Sequence, residues 1–280
     1  MRIARYGIER WEYGDEFGSG EEEDIKLKRK MRPDEIEEGI QILREFASEA
    51  RYEQICSVAK GRTKNFVVGY ERPSNPNNFF ACLRTIDSFG IQNVAYVADS
   101  QDFATARAKR RRSRAISFEN RKLKMKSALG SQKWLTIHEF VDTLDMLNNL
   151  KAKGYQIIAT DLQPGAQPIT ELHSPEVHAS RDNKIALIFG NEEAGISEQL
   201  RQLCDLRVFI PMRGFAESFN LSVATAAILS RLDALNFIPP QQLSIQEQNQ
   251  LIFLWLSRSI GYKSTSAILR RYHSSYSSLL

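Results

Sequence analysis

The chain has 280 residues, of which 42% are hydrophobic and 26% are charged, a composition typical of a globular protein with a full core. No apolar run reaches the ~20 residues that a membrane-spanning helix needs, and charged residues interrupt the N-terminus, so we expect neither a membrane anchor nor a signal peptide. An odd number of widely separated cysteines argues against a disulfide framework or a zinc site and favours a reducing, cytoplasmic location; they are Cys56, Cys82 and Cys204.

The net charge of +4 conceals an uneven distribution. Residues 107–126 contain ten basic residues and one acid, Glu119, so this segment carries +9 and the rest of the chain −5. Such a concentration is typical of a segment that binds a polyanion, although a solvated loop without a partner is the alternative. The side chains that we expect to contact phosphates are Arg110, Arg111, Arg112, Arg114, Lys122 and Lys124.

The predicted elements begin with residues 1–32, a charged and glycine-containing segment that we expect to be a mobile tail. A helix is predicted from Pro33. Another helical piece is predicted around residues 52–59, so residues 33–61 form an N-terminal helical extension. The apolar face of the first helix is predicted to contain Ile36, Ile40, Leu43, Ala47 and Ala50.

From Asn65 onward, short apolar runs alternate with helical patterns. Continuously apolar strands between helices are typical of a parallel sheet covered on both faces, so we predict an α/β domain at 62–237. The predicted strands are 66–70, 94–98, 134–137, 156–160, 185–189 and 206–210. The predicted helices are 79–89, 137–153, 197–203 and 218–235.

Residues 238–280 are predicted to form a C-terminal helical extension. Ser244 and Glu247 have the spacing of a capping box at the start of one helix. A last short helix is predicted near residues 266–272.

Three segments follow predicted strands, the position at which open α/β sheets bind their ligands; they are residues 76–90, 187–197 and 210–224. In the third, Pro211 ends a strand and Gly214 permits a turn before a helix. The polar residues near that helix start are suited either to holding an anion or polar ligand, or to plain capping. The chain has no Walker loop, GxGxxG, HExxH or GxSxG motif, which removes support for nucleotide hydrolysis, dinucleotide chemistry and the common hydrolases.

Together these segments resemble the SpoU (TrmH) family of RNA ribose 2′-O-methyltransferases. The first motif is Asn78 with Arg84-Thr85, and the second runs from Phe189-Gly190 through Glu192 to Ser197. The third runs from Ile210 to Ala224. The segment from Gly130 to Leu135 is similar to one in the tRNA-specific branch.

The resemblance implies a deep trefoil knot, a homodimer, S-adenosylmethionine as cofactor and no metal. By motif position, the adenosine pocket is expected to be lined by Thr160, Gly190, Ile210 and Phe219. The catalytic residues that the resemblance implies are Arg84, Asn78, Glu192, Ser218 and Asn220.

The role of Arg84 has two alternatives. The family's proposal is activation of the ribose 2′-hydroxyl, but a guanidinium with a pKa above ~12 is a poor base. The other role is a fixed cation that grips the neighbouring phosphate. Without the motif, a helix-surface arginine paired with a carboxylate such as Glu192 is the plainer interpretation. Capping and turn formation are the corresponding alternatives for Asn78, Ser218 and Asn220.

The sequence also departs from the family pattern. Phe79 and Phe80 replace smaller residues, the basic connection before Gly130 is longer, and residues 1–32 have no recognisable counterpart. These departures concern the RNA target more than the reaction. We expect tRNA as the substrate, with ribosomal RNA and a catalytically silent RNA-binding protein of the same fold as alternatives.

Overall fold

The structure, a computed structural model, describes residues 31–97, 130–172 and 184–272. The described residues divide into two compact units: those within Thr63–Pro239 form one, and those before and after it form the other. The basic candidates Arg110, Arg111, Arg112, Arg114, Lys122 and Lys124, like the predicted tail up to residue 30, lie outside the described residues.

The unit Thr63–Pro239 is built on a parallel sheet, which confirms the predicted α/β class. Its described strands are β1 (Thr63–Glu71), β2 (Ile91–Val97), β3 (Thr136–Phe140), β4 (Tyr155–Thr160), β5 (Gln167–Pro168), β6 (Lys184–Phe189) and β7 (Leu206–Phe209). They lie in the order β3-β2-β1-β6-β4-β7-β5, and all the pairings are parallel. The carboxyl ends of β1, β6, β4 and β7 are therefore neighbours at one edge.

Helices of this unit cover the buried sheet. They are α3 (Pro76–Ser88), α4 (Thr143–Ala152), α5 (Glu198–Leu203) and α6 (Leu221–Ala234). Successive strand residues point to opposite faces, and Phe66, Val68 and Tyr70 of β1 join a core cluster with α3 and α6. Val67 of β1 is also fully buried, so both faces of that strand are covered.

The other unit contains α1 (Pro33–Arg44), α2 (Glu49–Gly61), α7 (Ile245–Ile260) and α8 (Tyr262–Tyr272). Every residue from Leu251 to Ser257 of α7 is buried, so the helix is covered on all sides over this stretch. The predicted capping box is present, since Ser244 Oγ accepts from Glu247 N at 3.3 Å and Glu247 Oε2 accepts from Ser244 N at 2.7 Å. No helix in the described ranges has the length and apolar character needed to cross a membrane.

Several predicted boundaries were wrong. The strand predicted at 134–137 is Thr136–Phe140, and the helix predicted from residue 137 begins only at Thr143. Apolar residues at 137 and 140 have helical spacing but lie in the strand, and the Asp142 carboxylate, which accepts from Asp145 N at 2.9 Å, starts the helix.

Three further differences concern helix and strand ends. Helix α1 ends at Arg44, so Ala47 and Ala50 do not continue its apolar face. Strand β7 ends at Phe209, one residue before the predicted end. Helix α6 begins at Leu221, because Asn220 has an extended backbone (φ −54°, ψ 143°) and acts as the cap. The two-residue strand β5 was not predicted at all.

Candidate active site

A single chain of hydrogen bonds joins the three motif segments. Asn78 Nδ2 donates to Glu192 Oε1 at 3.2 Å, which links the start of α3 to the loop after β6. Asn220 Nδ2 then donates to Asn78 Oδ1 at 3.0 Å, which links α3 to the start of α6. At the far end, Asn220 Oδ1 accepts from Ser222 N at 3.0 Å. Asn78, Glu192 and Asn220, predicted from separate motifs, therefore form one cluster.

The acceptor at one end of this series of hydrogen bonds and the donor at the other end fix the direction of every bond between them. The ionised carboxylate of Glu192 can only accept, so Asn78 must turn its amide nitrogen toward it and its oxygen toward Asn220. The backbone N–H of Ser222 can only donate, so Asn220 must turn its oxygen toward α6. Both ends require the same orientation of the amides, so the cluster has one satisfied arrangement.

Neutral donors surround the Glu192 carboxylate. Besides Asn78, the backbone N–H and the hydroxyl of Ser74 donate to Oε2 at 2.8 and 2.9 Å, and the Asn75 N–H donates to Oε1 at 3.4 Å. Partial burial disfavours the charged form, but the hydrogen bonds from Ser74 and Asn78 outweigh it, so the pKa of Glu192 is lowered. The site therefore holds a carboxylate that stays ionised at neutral pH.

The loop that carries Glu192 is closed by backbone contacts. Asn191 and Gly195 exchange two backbone hydrogen bonds of 3.0 and 2.9 Å, and Gly195 has a φ of +67°. A Cβ atom on Gly190 would lie 2.5 Å from the carbonyl carbon of Gly195 and 2.6 Å from the nitrogen of Ile196. Only glycine therefore fits at position 190 in this loop.

Below the cluster, aromatic rings anchor α3. Phe79 and Phe80 are only 2% and 1% exposed, and the Phe79 ring lies 5.3 Å from that of Tyr70 and 5.4 Å from that of Tyr96. Burying a side chain of this size stabilises the fold by roughly 1.5–3 kcal/mol. The paired phenylalanines thus belong to the core and hold Asn78 at the sheet edge.

Three of the four residues expected to line a cofactor pocket lie at the ends of neighbouring strands, and the fourth lies in the loop before α6. Thr160 is the last residue of β4, Gly190 follows β6 and Ile210 follows β7. All three are partly exposed, whereas Phe219, in the loop before α6, is 45% exposed. Apolar side chains beside accessible backbone groups suit an adenosine, which needs an apolar wall and a few hydrogen bonds. The residues present therefore fit S-adenosylmethionine.

Two of the predicted catalytic residues do not join the hydrogen-bonded cluster. Arg84 is exposed on α3, six residues beyond Asn78, or about 9 Å along the helix axis. Its guanidinium has no hydrogen bond or salt bridge to any residue that the structure describes. The alternative pairing of Arg84 with Glu192 is therefore wrong, because other donors occupy that carboxylate. Ser218 is exposed in the loop before α6 and, within the same ranges, also makes no side-chain hydrogen bond.

Several polar residues that support the site were not predicted from the sequence. Glu71, the fully buried last residue of β1, accepts hydrogen bonds from the Thr143 hydroxyl and, at 2.7 Å, from Ser197 N. Asp161 directly follows β4 and is 8% exposed. A charged residue at the carboxyl end of an apolar strand is a signal that could have identified both. Nothing in the sequence marks Ser74 as a partner of Glu192.

Among the described residues, no group of three or more His, Cys, Asp or Glu side chains is placed to hold a metal ion. The protein thus has a parallel α/β unit in which a polar cluster connects three segments at one edge of the sheet. Residues 65–230 match the SpoU rRNA Methylase family, and because this match covers more than half of the chain, the protein belongs to that family. The family predicted from the three motifs is confirmed.

Individual relatives agree with this assignment. The chain is 28% identical over 199 residues to a tRNA (guanosine(18)-2′-O)-methyltransferase of Borreliella burgdorferi, covering 71% of this chain and 80% of that one. It is 30% identical to the 23S rRNA (guanosine(2553)-2′-O)-methyltransferase RlmP of Bacillus subtilis, covering 75% and 79%. The crystal structure of the A. aeolicus TrmH/SpoU tRNA modifying enzyme aligns with a TM-score of 0.60 at 25% identity, covering 76% of this chain and 98% of that one.

Proposed function

We propose that the protein methylates a ribose 2′-hydroxyl of structured RNA, with S-adenosylmethionine as the methyl donor. The observation that carries this proposal is the hydrogen-bonded chain from Glu192 through Asn78 to Asn220, which joins the three motifs of the SpoU family at one sheet edge. When bound, S-adenosylmethionine supplies a sulfonium methyl that the ribose oxygen takes in line, while the carbon–sulfur electron pair goes to sulfur and the hydroxyl proton is released.

The residues of this chain act chiefly by alignment, because in-line transfer requires the reacting atoms to be held in register. Asn78 and Asn220 lock the start of α3 to the start of α6, and Glu192 ties both to the loop after β6. A pocket lined by Thr160, Gly190, Ile210 and Phe219 holds the cofactor. Ser218 and Arg84 face the RNA.

We assign Arg84 the role of a fixed cation. Its guanidinium is exposed and has no carboxylate partner in the described ranges, so it is available to a phosphate, whose two non-bridging oxygens can accept from its planar fork of N–H donors. A phosphate nearby also favours the charged form, which makes the role of general base still less suitable. The distinction is testable with Arg84→Lys, which keeps the charge and loses the fork.

The proposal includes a deep trefoil knot and a homodimer, both implied by the family. The knot rests on that implication alone. In support of the dimer, Phe215 and Phe219 in the loop before α6 and Val223 in its first turn are exposed apolar side chains. A second copy of the chain would cover them, so light scattering should give twice the chain mass of 32.0 kDa. A fully active monomer would contradict the dimer.

For the RNA, we propose tRNA as the substrate and retain ribosomal RNA as the second candidate. The relatives named for tRNA and the segment from Gly130 to Leu135 favour tRNA. The 30% identity to the 23S rRNA enzyme keeps ribosomal RNA open. The basic segment at 107–126 would contribute phosphate contacts to either RNA.

The test is a map of 2′-O-methylated nucleotides in cellular RNA with and without this gene, with a strain that expresses Arg84→Ala as control. We expect one tRNA position to lose its methyl group in both altered strains. Loss confined to ribosomal RNA would select the second candidate. Unchanged methylation in every RNA would refute the proposed reaction in the cell.

A further inference from the structure

The carboxylate of Asp161 connects three elements that lead to the proposed cofactor pocket. Its Oδ2 atom accepts from Arg201 Nε of α5 at 3.0 Å and from Arg207 Nη1 of β7 at 2.8 Å. Its side chain is only 5% exposed, and those of Arg201 and Arg207 are 28% and 19% exposed. An ion pair removed this far from solvent is screened less than one at the surface.

The same cluster shapes the loop that follows β4. Asp161 Oδ1 accepts from Gln163 N at 3.3 Å, and Arg207 Nη2 donates to the Pro164 carbonyl at 2.9 Å. Gly165 has a φ of +89°, and a Cβ atom there would lie 2.5 Å from Arg207 Nη2. The arginine head therefore lies directly against the loop and occupies space that any larger residue at position 165 would take.

The position of this loop relates it to the cofactor. Thr160 immediately precedes Asp161, and β7, which carries Arg207, leads directly into Ile210. The backbone N–H of Asp161 also donates to the Val208 carbonyl at 3.0 Å. One acidic side chain thus sets the relative position of two of the strand ends on which the pocket is built.

We propose that Asp161, Arg207 and Arg201 form a positioning cluster that holds the loop after β4 in the shape that binds S-adenosylmethionine. This inference rests on the proposed function, because it takes that loop as a wall of the pocket. The three residues act through the loop and do not contact the reacting atoms. Hydrogen bonding to the two arginines outweighs the effect of burial and lowers the pKa of Asp161, so this carboxylate stays ionised at neutral pH.

The experiment is a calorimetric titration of the full-length protein with S-adenosylmethionine, together with steady-state kinetics on tRNA. Asp161→Asn leaves the partly buried Arg207 without a carboxylate and Arg201 with only the exposed Glu198, so we expect the Kd to rise about tenfold or more. The value of kcat at saturating cofactor should stay within about twofold of the wild-type value, since the reacting groups are untouched. Hydrogen exchange in residues 161–168 should accelerate.

Matched variants separate positioning from general destabilisation. Arg207→Lys keeps the charge but cannot reach both Asp161 and Pro164, so it should give a smaller rise in Kd. Glu198→Gln removes the exposed 2.8 Å ion pair on the other side of Arg201 and should leave the Kd unchanged. If Asp161→Asn does not fold, Arg207→Lys and Gly165→Ala test the same contacts.

The outcomes distinguish a failure of the proposed function from a failure of the positioning role. Wild-type protein that does not bind S-adenosylmethionine would refute the proposed function. Wild-type binding with the same Kd in Asp161→Asn and Arg207→Lys would overturn the positioning role alone. A fall in kcat without a change in Kd would overturn it as well.

Discussion

Two carboxylates organise the sheet edge, and they are satisfied in different ways. Among the described residues, Glu192 is held by neutral donors from Ser74, Asn75 and Asn78, whereas Asp161 is held by two arginines. The positive charges of Arg201 and Arg207 are paired with Asp161 inside the protein. At the Glu192 corner the nearby cation of α3, Arg84, has no partner in the described ranges.

This difference distinguishes the ion-paired cluster of Asp161, which we propose is structural, from the region of Glu192 and Arg84, which we propose binds an anion. A cation already paired with a carboxylate offers little to a phosphate, but an exposed and unpaired guanidinium offers its full charge and its donors. Within the part of the chain that the structure describes, the Glu192 cluster is satisfied without an arginine, and this agrees with the proposal that Arg84 contacts an RNA phosphate. The predictions below test that division, from the largest expected effect to the smallest.

The largest effect is expected at Arg84. Replacing it with alanine should lower methyl transfer about a hundredfold to a thousandfold, the loss typical of removing one fixed electrostatic contact from an active site. The Kd for S-adenosylmethionine should stay nearly constant, because Arg84 is proposed to face the RNA and not the cofactor. Arg84→Lys should retain substantial activity if simple charge suffices and little if the fork matters.

Turnover of Arg84→Ala near the wild-type level would remove the catalytic assignment. A strong loss of cofactor affinity in the same variant would show that Arg84 contributes to the cofactor pocket and not to RNA binding.

A smaller loss is expected when the middle of the hydrogen-bonded chain is removed. Asn78→Ala should lower kcat/KM about tenfold to a hundredfold, because Glu192 and Asn220 each lose a partner. Asn220→Ala in the same background should add little, since contacting residues couple non-additively. Asn77→Ala, at the exposed neighbouring position, is the matched control and should retain activity.

Fully additive losses from Asn78→Ala and Asn220→Ala would show that the two amides act separately. The cluster would then be a set of independent caps.

Much of this arrangement was accessible from the sequence. Apolar strand runs gave the parallel sheet, and motif spacing identified Asn78, Glu192 and Asn220, which do come together. The predicted helix starts were wrong where a polar cap residue begins the helix later than the apolar pattern indicates, as at Asp142 and Asn220. The partners Ser74, Arg201 and Arg207 could not be predicted, because their contacts span 40 to 118 positions in the chain and depend on tertiary structure.

The third prediction concerns pH and stability. The lowered pKa of Glu192 means that its contribution to stability is fully present above the ordinary carboxyl pKa and is lost as pH falls through the lowered pKa. Glu192→Gln should therefore have a lower Tm than the wild type at neutral pH, and the difference should shrink in acid. A Tm difference that stays constant from neutral to acidic pH would show that the charge of Glu192 contributes nothing.

The smallest effect is expected from the basic segment, where each side chain contributes one contact among many. Replacing Arg110, Arg111, Arg112 and Arg114 with glutamine should weaken RNA binding and flatten the dependence of log K on log salt by about one unit per lost contact. The Kd for S-adenosylmethionine should not change. An unchanged salt slope would show that the segment is a solvated loop.

The most direct test of the central claim is methyl transfer by the purified protein. S-adenosylmethionine with a deuterated methyl group is incubated with tRNA, and the digested nucleosides are analysed by mass spectrometry, with Arg84→Ala in parallel. We expect the heavy methyl group on the ribose of a single nucleoside with wild-type protein and its near absence with the variant. Label on a base, or tRNA and ribosomal RNA both left unlabelled, would contradict the account.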